Sequence, residues 1–89
     1  MGGKGYRDMT KEIAKIEKNA QEEIIVQLTE FKGYDLVDLR VWAKSVMGQT
    51  GKPTKKGITV KPGLLPELIE AIQEAERTYQ EAQEKGARV

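Results

Sequence analysis

Apolar residues recur at every second position in two neighbouring stretches of the chain, residues 23–31 and 34–44. This alternation is the period of a β-strand that turns one face toward a core. The residues expected on the core face are Ile24, Val26, Leu28, Val37, Leu39 and Val41. Because Lys32-Gly33 between the stretches is typical of a turn, the pattern predicts two strands joined as a hairpin.

The segment after this hairpin has the composition of a loop. Residues 45–56 contain Gly48, Gly51 and Pro53 among polar side chains, which favours irregular backbone. Residues 57–60 then combine β-branched and apolar side chains, as a strand does. We therefore expect a long loop followed by a short third strand.

Beyond Pro62-Gly63 the apolar spacing changes to that of a helix. The residues on this spacing are Leu65, Leu68, Ile69, Ile72, Ala75, Tyr79 and Ala82, with glutamates mostly opposite. The pattern predicts one amphipathic helix. Pro66 fits only its first turn, because a proline deeper in the helix removes a hydrogen bond. Gly86 is expected to mark its end.

The N-terminal region leaves two interpretations open. In residues 10–21, Ile13, Ile16 and Ala20 fit a helical stripe, but a short strand with a turn at Lys18-Asn19 fits equally well. Three or four antiparallel strands and one helix covering their apolar face make an α+β domain of two layers. The other face of the sheet is then expected to stay open.

Composition narrows the possible functions. The 89 residues include no Cys and no His, which excludes disulfides, thiolate or imidazole metal sites and histidine-based catalysis. We expect no catalytic residues, no cofactor and no metal. The longest apolar run, Ile24-Ile25-Val26, is far too short to span a bilayer, so we expect no membrane contact and a cytosolic location. A domain this small buries little surface, which favours self-association.

Charge is segregated along the chain. Residues 32–61 have seven basic and two acidic side chains, whereas residues 62–89 have three basic and six acidic ones. This asymmetry is typical of one surface that meets a polyanion and another that avoids it. By strand alternation, the open face would carry Gln27, Thr29, Phe31, Arg40 and Trp42, with Lys32 and Tyr34 at the turn and Lys44 at the strand end.

Aromatic and cationic side chains on one sheet face favour single-stranded nucleic acid. Unstacked bases need flat apolar surfaces, and the backbone needs positive charge. A structural alternative remains: Phe31 and Trp42 would pack against a partner subunit or a loop. Lys52, Lys55 and Lys56 would then belong to a solvated loop tip.

Two motifs resemble the Positive Cofactor Four family of transcriptional coactivators: EFKGYDLVDLR at residues 30–40 and KPTKKGITV at residues 52–60. The resemblance covers roughly residues 13–79. It implies a four-stranded antiparallel sheet, with residues 12–17 as its first strand, and a C-terminal helix that helps to form a homodimer. It also implies grooves that bind single-stranded or melted DNA with little sequence preference. The expected boundaries are a flexible tail at 1–11, the single-stranded DNA-binding domain at 12–85 and a tail at 86–89.

Carried over by position, the resemblance implies DNA contacts at five residues, namely Phe31, Lys32, Arg40, Lys55 and Lys56. Adding the neighbouring aromatic and basic residues gives the full predicted nucleic-acid-binding set of Phe31, Lys32, Tyr34, Arg40, Trp42, Lys44, Lys52, Lys55 and Lys56. The predicted dimer interface is Leu68, Ile72, Ala75 and Tyr79. The chain departs from the family pattern at Tyr34, where relatives often have a basic residue, and at Ala43, where they have a second aromatic.

The sequence therefore favours a non-enzymatic homodimer that holds single-stranded DNA during transcription, replication or repair, in the cytoplasm with the nucleoid, or in the nucleus of a eukaryote. One alternative is a protein-interaction module whose acidic helix recruits the transcription machinery, and another is an RNA-binding protein. A nuclease using Asp35, Asp38 and Glu30 is disfavoured, because residues three apart on a strand point to opposite faces.

Overall fold

A computed structural model describes residues 10–86, which form a four-stranded antiparallel sheet followed by one helix. The strands are β1 (Lys11–Glu17), β2 (Glu22–Phe31), β3 (Tyr34–Lys44) and β4 (Thr50–Val60). A 3-10 turn (Pro62–Leu64) leads into the helix α1 (Leu65–Glu84). The strand order in the sheet is β1-β2-β3-β4, so each strand pairs with its neighbour in sequence. The predicted α+β class is confirmed.

The central hairpin forms as the alternating pattern predicts. Strands β2 and β3 pair without a register shift from Glu22 opposite Ala43 to Phe31 opposite Tyr34. Lys32 and Gly33 form the two-residue turn with φ angles of 52° and 87°. Positive φ at both positions is the geometry whose twist matches that of the flanking strands. The predicted turn at Lys32-Gly33 is therefore confirmed.

The N-terminal segment left open by periodicity is a strand. β1 pairs with β2 from Lys11 opposite Leu28 to Glu17 opposite Glu23, with one irregularity between Glu12 and Ala14. That irregularity shifts the side-chain alternation at the intervening position and explains why the apolar spacing also fitted a helix. The predicted tails at 1–11 and 86–89 stay predictions, since residues 1–9 and 87–89 lie outside the described residues.

The long loop predicted at residues 45–56 is wrong. Only residues 45–49 connect the strands, and β4 extends from Thr50 to Val60. β4 is an edge strand with two register shifts against β3, and a proline is tolerated on such a strand. A Cβ atom at Gly51 would lie 2.4 Å from Ala43 O, and one at Gly57 would lie 2.4 Å from Leu39 O. Gly51, one of the two glycines that suggested a loop, and Gly57 are therefore required for the close approach of β4 to β3.

The helix begins and ends where the sequence indicates. Pro66 lies in its first turn, and Gly86, with a φ of 73°, follows its last turn and donates a hydrogen bond to Gln83 O at 3.1 Å. However, no residue of α1 is buried, so the expected packing of the helix over the apolar sheet face does not occur within one chain. Periodicity identifies the apolar side of a helix but not what covers it.

The distribution of buried side chains follows from this uncovered sheet. Ile25 is the one fully buried large side chain among residues 10–86, and it lies on the face expected to be open. On the expected core face Val37 is buried, whereas Ile24, Val26 and Leu39 are only half-buried. The core is therefore small, and both sheet faces remain partly accessible. Within the described residues, no helix is long and apolar enough to cross a bilayer.

Candidate nucleic-acid interface

The register of β2 and β3 places most of the predicted contact residues on one face of the sheet. Cross-strand partners share a face, and Phe31 pairs with Tyr34, Ile25 with Arg40, and Glu23 with Trp42. We call this side of the sheet the aromatic face. The residues predicted for this face are Gln27, Thr29, Phe31, Arg40 and Trp42, with Tyr34 at the turn and Lys44 at the strand end. The predicted sharing of a face is confirmed, although their binding role stays a prediction.

At one end of the aromatic face, Phe31, Lys32, Gly33 and Tyr34 form the hairpin tip. The exposed fraction is 61% for Phe31 and 69% for Tyr34, which is high for aromatic residues. Lys32 Nζ lies 5.3 Å from the centre of the Phe31 ring, within the range of a cation–π interaction. The hairpin tip therefore presents flat apolar surface beside a positive charge.

The middle of the aromatic face is organised differently, by a group we call the Arg40 network. Arg40 Nε and Nη2 donate to the Asp38 carboxylate, with an Nη2–Oδ1 distance of 2.9 Å. Arg40 Nη1 donates to Thr54 O at 3.0 Å, Nη2 donates to Thr59 Oγ1 at 3.3 Å, and Thr59 Oγ1 donates to Asp38 Oδ1 at 2.7 Å. Within residues 10–86, only one guanidinium N–H, on Nη1, is left for another partner.

Burial and ion pairing shift the pKa of Asp38 in opposite directions. The side chains of Arg40 and Asp38 are 22% and 13% exposed. Burial raises the pKa of Asp38, but the hydrogen bonds from Arg40 and Thr59 together with the Arg40 charge outweigh it, so the net pKa lies below the ordinary value. The hydrogen bonds with Asp38 likewise raise the pKa of Arg40. The network therefore fastens β3 to β4 and keeps both groups charged.

Trp42 is half-buried and lies between its register partners Glu23 and Pro53. Its indole Nε1 is buried and has no hydrogen-bond acceptor among the residues that the structure describes. Less of this ring is accessible to a base than of Phe31. The Glu23 carboxylate beside it accepts a hydrogen bond from Thr50 Oγ1 at 2.8 Å.

The four predicted lysines of β3 and β4 differ in whether they form ion pairs. Lys44 Nζ lies 3.1 Å from Glu17 Oε1, and this lysine is mostly buried. Lys56 Nζ lies 3.8 Å from Glu22 Oε2, and Glu22 alternates with Glu23 and so belongs to the opposite face. The remaining two, Lys52 and Lys55, are exposed and have no ion pair within residues 10–86. Strand pairing therefore does not gather all four around the aromatic face.

One cavity contains residues that the sequence analysis did not assign to the site. It has a volume of about 290 Å³ and is lined by Phe31, Tyr34, Leu36 and Lys61. Leu36 pairs with Thr29 and so belongs to the aromatic face. Lys61 directly follows β4. Its only sequence signal is membership of the basic segment 32–61.

The carboxylates considered for a metal-dependent nuclease do not converge. Glu30 pairs with Asp35 on one face, whereas Asp38 lies on the other face in the Arg40 network. Among the described residues, no group of three or more acidic side chains could hold a metal ion. The geometry therefore offers no support for the nuclease alternative.

The predicted dimer residues lie on a solvent-accessible helix. Ile72 and Tyr79 are about half exposed, Ala75 is exposed, and Leu68 is half-buried near the end of β4. An apolar stripe of this length in water is unfavourable unless something covers it. The homodimer nevertheless stays a prediction, because the structure contains one chain.

An antiparallel sheet with exposed aromatic and cationic side chains on one face is the arrangement used by domains that bind single-stranded nucleic acid. The chain belongs to the family described as Transcriptional Coactivator p15 (PC4), whose sequence profile matches residues 18–71. The match includes the hairpin, all of β4 and the first turns of α1.

Solved structures agree with this assignment. The orthorhombic crystal structure of BPSL1147, a PC4 homologue from Burkholderia pseudomallei, is 31% identical to the chain with a TM-score of 0.71, covering 79% of this chain and 93% of the homologue. The structure of its tetragonal crystal form is 29% identical to the chain with a TM-score of 0.68, covering 76% of this chain and 98% of the homologue. No curated protein sequence gives a significant match. The fold and the family are thus supported by both sequence and structure.

Proposed function

We propose that the protein is a homodimer that binds single-stranded or melted DNA with little sequence preference and acts in transcription regulation or in replication and repair. The observation that carries this proposal is the exposed pair of Phe31 and Tyr34 beside Lys32, in a member of the PC4 family. The protein acts by binding, without a catalytic step and without a cofactor.

Single strands suit the hairpin tip better than duplex does. An exposed ring can stack only on a base whose face is free, and duplex bases are already stacked on one another. Reading the major groove commonly requires a helix, and α1 places glutamates along its surface. Six of them would meet the phosphates with like charge: Glu67, Glu70, Glu74, Glu76, Glu81 and Glu84.

The helix supports the homodimer part of the proposal. It is 20 residues long and has no buried residue, yet Leu68, Ile72 and Tyr79 fall on one apolar stripe. A second copy with the same stripe would cover it symmetrically. Ile72→Asp would place an unpaired charge in that interface, so we expect loss of the dimer in native mass spectrometry. Glu70→Asp, which keeps the charge of the polar side, should remain dimeric, and a monomeric parent would contradict the dimer.

One titration tests the binding function. Fluorescence anisotropy would compare a labelled single strand of roughly 20 nucleotides with its duplex, a duplex containing a mismatched bubble, and the RNA equivalent. We expect the single strand and the bubble to bind more tightly than the duplex, with similar affinity for different base compositions. Equal or tighter binding of the duplex would contradict the proposal, and preference for the RNA would favour the RNA-binding alternative.

The acidic surface of α1 favours a second candidate, a protein-interaction module that contacts the transcription machinery. In this function the sheet would bind nucleic acid weakly or not at all. Failure of the parent protein to bind any of the four nucleic acids, with a folded dimer in solution, would favour this candidate over the first.

A further inference from the structure

We propose that the cavity beside the hairpin tip binds one unstacked nucleotide, with its base against Phe31, Tyr34 and Leu36 and its phosphate on Lys61. This inference rests on the proposed function and adds a defined subsite to it. The cavity volume of about 290 Å³ lies at the lower end of ligand pockets, near 300 Å³, which suits one nucleotide unit better than a larger ligand.

The aromatic part of the cavity comes from one cross-strand pair. Phe31 and Tyr34 are direct register partners next to the turn, so their Cβ atoms lie about 5 Å apart on the same face. Both rings are largely exposed, and neither is used to fill the core. Because Lys32 Nζ lies over one face of the Phe31 ring, a base is directed to the other side of that ring.

The floor of the cavity is apolar. Leu36 is half-buried on the aromatic face, two positions beyond Tyr34 along β3. The four lining residues include no carboxylate, so nothing in the lining repels a phosphate. A base that leaves water here gains contact with Leu36 as well as with the two rings, and apolar contact of this kind does not depend on base identity.

Lys61 supplies the charge from a different element. It lies between the end of β4 and the 3-10 turn, in an extended conformation with φ −72° and ψ 145°. Its carbonyl oxygen accepts a hydrogen bond from Leu64 N at 3.0 Å, which ties the backbone at this position to the turn. Unlike the ammonium groups of Lys44 and Lys56, that of Lys61 forms no ion pair with any residue from 10 to 86. It is therefore available to a phosphate without first breaking a contact.

Two substitutions and two ligands test the subsite. Tyr34→Leu removes the ring but keeps an apolar side chain, and Lys61→Gln removes the charge. The matched controls are Tyr34→Phe, Lys61→Arg and Lys85→Gln, the last at an exposed lysine at the end of the helix. The ligands are a labelled oligodeoxythymidine of roughly 20 nucleotides and an abasic strand of the same length and charge.

We expect Tyr34→Leu to weaken binding of the oligodeoxythymidine by about 5-fold to 150-fold and to leave binding of the abasic strand unchanged, because only the first ligand has bases to stack. Lys61→Gln should weaken both ligands and lower the slope of log K against log salt by about 0.7 in magnitude. All three controls should bind like the parent.

Other outcomes overturn the subsite. If Tyr34→Leu and Lys61→Gln bind like the parent while Phe31→Ala does not, the cavity is not a binding site, although the proposed function stands. Equal losses on both ligands for Tyr34→Leu would also overturn it, since no base would be held there. If the parent fails to bind the oligodeoxythymidine, the proposed function fails and the subsite fails with it.

Discussion

At the hairpin tip the aromatic rings and the lysine face solvent, whereas in the Arg40 network the cation is bound to a carboxylate and half-buried. Both regions lie on the aromatic face, and both combine the residue types that single-stranded nucleic acid needs. The difference lies in what each cation already contacts. A cation that forms an ion pair within the chain stabilises the fold. It can bind a phosphate only through the N–H donors that the ion pair leaves free.

Removal of Arg40 should have the largest effect, and this effect should be on stability. Arg40→Ala leaves the buried Asp38 carboxylate without its main partner, so we expect the free energy of unfolding to fall by about 2–3 kcal/mol in urea denaturation. Lys32→Ala at the hairpin tip should change it by no more than about 0.5 kcal/mol, because Lys32 is exposed. A variant Arg40→Ala as stable as the parent would show that the network does not hold β4.

At the hairpin tip we expect the opposite behaviour. Phe31→Ala should weaken binding of a single strand by about 1–3 kcal/mol, since it removes one stacking surface, with little change in stability because the ring is 61% exposed. Phe31→Tyr keeps the ring and should bind like the parent. Anisotropy titration and urea denaturation on the same samples separate the two effects, and equal binding by Phe31→Ala would remove the stacking role.

Trp42 is less exposed than Phe31, and we expect its side chain to contribute to both stability and binding. Its half-buried ring predicts that Trp42→Ala lowers both stability and affinity, each by about 1 kcal/mol or more. Since it is the one tryptophan in the sequence, its fluorescence reports directly on contact with a base. An emission that does not change at saturating oligonucleotide would assign Trp42 to the fold alone.

The two lysines of the KPTKKG motif extend the comparison to β4. Lys55 is unpaired within the described part of the chain, so Lys55→Ala should lower the slope of log K against log salt by about 0.7 in magnitude. Lys56→Ala should lower the magnitude of this slope by less, because Glu22 already neutralises part of the Lys56 charge. Glu22→Gln should make the effect of Lys56→Ala as large as that of Lys55→Ala. Equal slopes for the parent and Lys55→Ala would place Lys55 outside the interface.

The smallest effect we expect is a pH dependence confined to the Arg40 network. The pKa of Asp38 is lower in the folded chain than its ordinary value, so the folded state favours the ionised carboxylate. Its contribution to stability is present above the unfolded pKa of about 4 and is lost as pH falls through the folded pKa. The stability difference between the parent and Asp38→Asn should therefore shrink on acidification below about pH 4. A constant difference would contradict the lowered pKa.

The parts of the fold that could be predicted are those set by local periodicity. Alternation of apolar residues locates β2 and β3 within one residue of their bounds, and Lys32-Gly33 locates the turn. Helical spacing together with Pro66 and Gly86 locates α1. Each of these signals lies in consecutive residues, because a strand or helix repeats its side-chain direction every two or 3.6 residues.

The residues on the aromatic face could also be read from alternation, but their partners could not. Whether Arg40, Lys44 or Lys56 has a free charge depends on Asp38, Glu17 and Glu22. Two of these three carboxylates belong to other strands. A sequence pattern gives the direction of a side chain along its own strand, whereas an ion pair also requires the register of the neighbour.

The hairpin, the helix and the set of aromatic and basic residues available for binding are encoded in local sequence patterns. Three features emerge only in the folded chain: Gly51 belongs to a paired strand, the helix leaves the sheet uncovered, and Lys61 joins Phe31 and Tyr34 around one cavity. Close approach between strands, coverage of a face and the lining of a cavity are all relations between residues that are distant in the chain. The intrinsic preference of a residue for a strand or a helix carries no information about these relations.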